Sequence, residues 1–118
     1  MRGTVLVVDD DQTVRRCLGE FLEAEGYKVL SAPNGRAALA ILEEEVPDLL
    51  LVEVDMPVMS GSRLAEALAH YPDLARIPLI LMSRRKEHEA VPPPPHRVVQ
   101  KPLNLDWLAS TVATLAAA

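Results

Sequence analysis

Five short apolar runs are spaced along the chain: TVLVV at 4–8, KVLSA at 28–32, LLLVE at 49–53, PLILM at 78–82 and RVVQ at 97–100, with longer stretches of helical spacing between most of them. Runs this short, rich in β-branched residues and leucine, suit buried strands. After the first run, Val14, Cys17, Leu18, Phe21 and Leu22 recur at helical intervals, with Asp11 placed as N-cap and Gly26 as the stop. A helix is expected there, with the Cys17 thiol buried in its apolar stripe. Asn34 opens a second helix through Val46, Ser60 or Ser62 a third through about Tyr71, and Asn104 a last one carrying Leu105, Leu108, Val112 and Leu115. Such alternation makes an α/β fold in which helices cover both faces of a parallel sheet, joined by right-handed crossovers.

One crossover departs from the pattern. Between the fourth and fifth runs lies SRRKEHEAVPPPPH, whose four consecutive prolines, 92 to 95, cannot continue a helix. The fourth helix is therefore expected to be shortened or missing, with a polyproline II connector in its place. A chain of 118 residues suits a single domain spanning 1–118. Its net charge of −5 disfavours non-specific binding to nucleic acid or an anionic membrane. A lone cysteine excludes a disulfide framework, and no apolar run approaches the roughly 20 residues of a membrane span, so a cytoplasmic protein is expected.

In open α/β sheets ligands bind beyond the carboxyl ends of the strands. The residues there are Asp9, Asp10 and Asp11 after the first run, Glu53 and Asp55 at the third, Ser83 after the fourth and Lys101 after the fifth. Two like charges about 4 Å apart repel by roughly 1 kcal/mol in water and about 4 kcal/mol at an effective dielectric of 20, so clustered carboxylates call for a cation. Mg²⁺ favours oxygen donors and fits Asp9, Asp10 and the end of the third strand; a basic side chain is the other way to balance them. A blander role for the three aspartates is to cap a helix and solvate a turn.

The motifs VLVVDDDQTVRR, PDLLLVEVDMPVMSG, the serine after LILM and VVQKP, in this order, resemble those of response-regulator receiver domains over nearly the whole chain. The resemblance implies a flavodoxin-like, doubly wound five-stranded sheet of order 2-1-3-4-5. It further implies an aspartate at the end of the third strand, four residues before a proline, that accepts a phosphoryl group from a histidine kinase with Mg²⁺ bound. Here that phospho-acceptor position is Glu53, with Asp55 two residues on as the alternative acceptor. By the same resemblance the metal would be held by Asp9, Asp10 and the backbone carbonyl of Asp55, and Ser83 and Lys101 would serve phosphate binding and switching. Glutamate adds a methylene, and a misplacement of about 1 Å can cost on the order of 10²-fold, so phosphorylation should be slow or absent; Mg²⁺ should bind weakly if Arg84 stays in solvent. The longer arm also carries negative charge toward Lys101 and Ser83, an incomplete imitation of the phosphorylated state.

Arg84 stands where receivers usually carry a small residue; it either covers the acidic pocket and pairs with Glu53, in competition with Mg²⁺, or remains a solvated loop charge. Val98 replaces the family's aromatic switch. The expectation is a stand-alone, degenerate receiver, a pseudo-receiver acting through a protein partner, either a histidine kinase or a downstream effector. It is expected to be a monomer or weak dimer, and not an enzyme. A working receiver is the alternative. The short match of VLVVDDDQTV to haloacid-dehalogenase-like phosphatases is a remote third reading, with Asp9 as nucleophile and Asp11 as acid/base. His70, His88 and His96 have no spacing suited to a metal, and Trp107 lies off the apolar stripe of the last helix, as a partly packed surface residue or part of an interface.

Overall fold

The computed structural model describes residues 2–84 and 97–116. Strands β1 (Thr4–Val8), β2 (Lys28–Ala32), β3 (Leu49–Glu53), β4 (Leu79–Ser83) and β5 (Arg97–Gln100) form one parallel sheet in the order β2-β1-β3-β4-β5. This is the doubly wound, flavodoxin-like order expected. Helices α1 (Gln12–Ala24), α2 (Gly35–Leu42), α3 (Gly61–Leu68) and α5 (Leu105–Ala116) cover the sheet, and a four-residue turn of helix, α4 (Pro72–Ala75), precedes β4. The proline segment at 92–95, and with it the expected loss of a helix there, lies outside the described residues, as do His88 and His96.

The period of two in each strand divides the core. Leu6, Val8, Leu50, Val52, Leu79 and Leu81 face α2 and α3, where Ala38, Leu42, Leu64 and Leu68 meet them. Val5, Val7, Leu49, Leu51, Ile80 and Met82 face α1 and α5, where Leu18, Leu22, Leu108 and Val112 close the other side. β3 and β4 are buried at every position, as strands covered on both faces must be. Edge strands β2 and β5 carry exposed polar residues at one or both ends.

Several boundaries differ from those the sequence predicts, each for a local reason. β4 runs one residue later than 78–82, because Pro78 has no N–H to give and only its carbonyl joins the ladder, accepting from Leu50 N–H, while Ser83 pairs with Gln100. Ser83 is therefore the last residue of the strand. α2 ends at Leu42, short of Val46, since the following Pro47 disfavours helical backbone at Val46, which is left exposed. α3 stops at Leu68 rather than Tyr71; Pro72 then starts the extra turn α4. Ser60, not Ser62, caps α3, its hydroxyl accepting Arg63 N–H.

Cys17 is exposed, against the expectation of a buried thiol. α1 turns Leu18, Gly19 and Leu22 inward, and a neighbouring position lies about 100° round the helix, which carries Cys17 off the buried stripe. Leu105 is likewise exposed, so the inner face of α5 is Leu108, Thr111, Val112 and Ala116, while Trp107 is half-buried against the same core.

Candidate functional site

Register alone brings the acids together. Val8 of β1 pairs with Val52 of β3, so Asp9 and Glu53, each next along its strand, emerge side by side at the carboxyl edge. Asp9 N–H is held by the Ala32 carbonyl and Lys101 N–H by the Ser83 carbonyl, which fixes the ends of β1 and β5 to their neighbours. Asp9 and Glu53 are 0% and 1% exposed. Into this dry corner reaches Lys101, its Nζ 2.6 Å from Asp9 Oδ2 and 2.7 Å from Glu53 Oε1.

The remaining oxygens are also engaged. Asp9 Oδ1 accepts Asp11 N–H at 2.9 Å, and Glu53 Oε2 accepts Asp55 N–H at 3.1 Å. Glu53 Oε1 has no directed hydrogen bond among the described residues; the ammonium approaches it out of alignment, as an ion pair only, and Arg84 Nε stands 3.8 Å away. Arg84 is 64% exposed, so its pairing with Glu53 is loose and water-screened. Taking a carboxylate out of water costs several kcal/mol unless a partner compensates. Two buried carboxylates and one ammonium leave a single negative charge, which Arg84 faces from the solvent side. The Lys101 pKa is raised above its ordinary 10.5: burial works to lower it and is outweighed by the hydrogen bond and charge of Asp9 and the charge of Glu53.

The other expected site residues are placed less centrally. Ser83 is buried at the end of β4, one residue beyond Met82, the partner of Glu53. Asp10 and Asp55 are exposed. Asp11 caps α1, its Oδ1 accepting Thr13 and Val14 N–H, so one of the three aspartates has the capping role. Receivers in general bind Mg²⁺ at their phosphorylation site, but the residues of this chain do not fit the ion as they stand. Both oxygens of Asp9 are committed, the ammonium lies between Asp9 and Glu53, and among the described residues no three acidic, histidine or cysteine side chains converge to hold a metal.

Two residues of the site were not singled out from sequence. Arg15 Nη1 donates to the Asp9 carbonyl at 2.6 Å, tying α1 to the β1 end; its position one turn into a helix that starts at the acids was the available signal. Gly61, the first residue of α3, packs so close beneath the end of β3 that a Cβ there would fall 2.3 Å from the Glu53 carbonyl oxygen. In the loop between β3 and α3, Val58 adopts φ 72°, a left-handed conformation that a β-branched residue takes up only under constraint. Beside the acids an open groove of about 610 Å³ runs between α1 and the β5–α5 connection, floored by Leu18, Met82 and Leu103, with Arg84 and Lys101 along it.

The sequence matches the response regulator receiver domain family over residues 5–113. The chain belongs to this family. Curated relatives of this receiver include an uncharacterised 14.6 kDa protein of Leptolyngbya boryana, 40% identical over 85 residues that cover 72% of this chain and 65% of that one. The phosphate regulon transcriptional regulatory protein PhoB of Pseudomonas aeruginosa is 34% identical over 86 residues, 73% of this chain and 38% of its own. This receiver thus spans less than two thirds of either relative. Among solved structures, the signal receiver domain of a histidine kinase from Syntrophus aciditrophicus superposes with a TM-score of 0.82 at 31% identity, covering 98% of this chain and 90% of that one. The receiver domain of the hybrid histidine kinase CckA gives 0.82 at 30% identity, over 97% and 99%.

Proposed function

We propose that this receiver signals through a protein partner without reversible phosphorylation, with Glu53 at the phospho-acceptor position as a permanent negative charge. The observation that carries the reading is the 2.7 Å approach of Lys101 Nζ to Glu53 Oε1. The extra methylene of glutamate spends its length on reaching the lysine, so the carboxylate is drawn back into a buried ion pair and not presented for in-line attack on a phosphoryl donor. The charge that phosphorylation would bring to a receiver is here built into the chain. A histidine kinase or a downstream effector is the partner class, and the groove beside the acids, floored by Leu18, Met82 and Leu103, is the surface we assign to it.

The phosphatase reading finds little support in the geometry. Its nucleophile would be Asp9, whose Oδ2 is held by Lys101 and Oδ1 by Asp11 N–H, and its acid/base would be Asp11, whose Oδ1 caps α1. Asp55 remains the alternative acceptor by virtue of its exposure. Incubation with acetyl phosphate and Mg²⁺ followed by intact-mass measurement tests the proposal: no adduct of about 80 Da should form on the native chain, whereas Glu53→Asp should acquire one. Rapid stoichiometric labelling of the native chain refutes it, and labelling abolished by Asp55→Asn would transfer the acceptor role to Asp55.

A further inference from the structure

We infer that Lys101 is the resident cation of this site and that its contact with Glu53 keeps a divalent ion out. The inference concerns the same site as the proposed function but does not depend on whether Glu53 takes a phosphoryl group.

The positions of the charges carry it. Asp9 and Glu53 are buried side by side, and the ammonium of Lys101 touches both, at 2.6 Å and 2.7 Å. Mg²⁺ demands near-octahedral oxygen donors at about 2.0–2.1 Å and would have to enter between the same two carboxylates. It would meet a positive charge already seated there, and a second one in Arg84, 3.8 Å from Glu53 Oε1. The oxygens turned away from Lys101 are no freer, since Asp11 N–H occupies Asp9 Oδ1 and Asp55 N–H occupies Glu53 Oε2. Asp10, which would supply a further donor, is exposed. The glutamate closes the site, since one of its oxygens meets Asp55 N–H at 3.1 Å while the other meets the ammonium at 2.7 Å.

Titration of the full chain with MgCl₂ in the absence of any phosphodonor, followed by calorimetry and by thermal unfolding, tests this. The native chain should show no saturable heat and no change in melting temperature through the millimolar range. Glu53→Asp, which withdraws the carboxylate from the ammonium, should gain saturable binding at least tenfold tighter. Lys101→Ala should gain it too if that variant folds, and Glu53→Asp decides the matter if it does not. Native binding as tight as that of Glu53→Asp overturns the inference. Failure of Glu53→Asp to bind at all also overturns it, because the site would then lack ligands whatever the lysine does. Because no phosphodonor is present, either result leaves the phosphorylation question untouched, and the two proposals fail separately.

Discussion

Replacing Gly61 by alanine should destabilise the fold by about 2 kcal/mol, the net of a clash and a smaller gain. The backbone of Gly61 is not in the left-handed region, so alanine meets no conformational penalty there. The clash is steric: the new Cβ would lie 2.3 Å from the Glu53 carbonyl oxygen, 3.0 Å from its carbonyl carbon and 3.0 Å from Val52 Cγ1. Non-bonded carbons rest at about 3.5–4.0 Å, so β3 and α3 must part by roughly 1 Å. That movement strains the Gly61 N–H bond to the Val54 carbonyl, now 2.8 Å, and both contacted carbonyl atoms are backbone that cannot rotate aside. Forced shifts in a packed core cost about 1–3 kcal/mol, and a clash this close with backbone belongs at the upper end. Against it, alanine recovers about 0.5–1 kcal/mol of glycine's conformational entropy. At an unfolding entropy of about 2.1 cal/mol/K per residue, the net loss lowers the melting temperature by about 8 °C, read by circular dichroism. A melting temperature that is unchanged or raised refutes the reasoning, since helix propensity alone would raise it by about 2–4 °C.

Further outcomes follow from other constrained positions. Val58→Asn, at an exposed position with φ 72°, should raise stability by about 1 kcal/mol, because asparagine tolerates the left-handed region; a thermal melt at or below the native value would show that Val58 is not strained. Lys101→Met leaves two buried carboxylates uncompensated and should cost about 3–5 kcal/mol in denaturant titration. Because the Lys101 pKa is raised, the stability it contributes is fully present below 10.5 and is lost as pH rises through the raised value. On the alkaline side the native chain and Lys101→Met should therefore converge in stability only beyond that value, and a gap that closes at neutral pH would contradict the ion-pair account. Cys17 should react with a thiol reagent in the folded protein as fast as a free thiol, and protection lifted only by denaturant would place it in the core after all.

Much of this architecture can be read from the chain because strand identity and site placement depend on the same short apolar runs. Once Val8 and Val52 are neighbours, Asp9 and Glu53 must adjoin, and the lysine after β5 reaches across the end of β4 to both. Burial of the thiol was misjudged for a reason that spacing cannot resolve: Cys17 and Leu18 both continue the stripe from Val14, and the angle at which α1 packs decides which turns inward. The helix ends at Leu42 and Leu68 precede Pro47 and Pro72, signals present in the sequence beside an apolar periodicity that runs past them. The role of Gly61 is a close approach to backbone atoms, which leaves no mark in a pattern of side-chain types, whereas Arg15 is marked only by its place one turn into the helix that starts at the acids. Arg84 stands 3.8 Å from Glu53 and is 64% exposed, a geometry between the two alternatives that the sequence leaves open.

Amide correlation spectra recorded with and without beryllofluoride and Mg²⁺ ask most directly whether Glu53 holds the site against a phosphoryl group. The native chain should give superimposable spectra, with Ser83, Arg84, Lys101 and the β3–α3 loop unmoved, while Glu53→Asp should shift those same resonances on addition of the analogue. Native spectra that shift at Ser83 and Lys101 as the variant's do would show an acceptor site open to phosphoryl chemistry, contradicting a permanent charge held by Glu53.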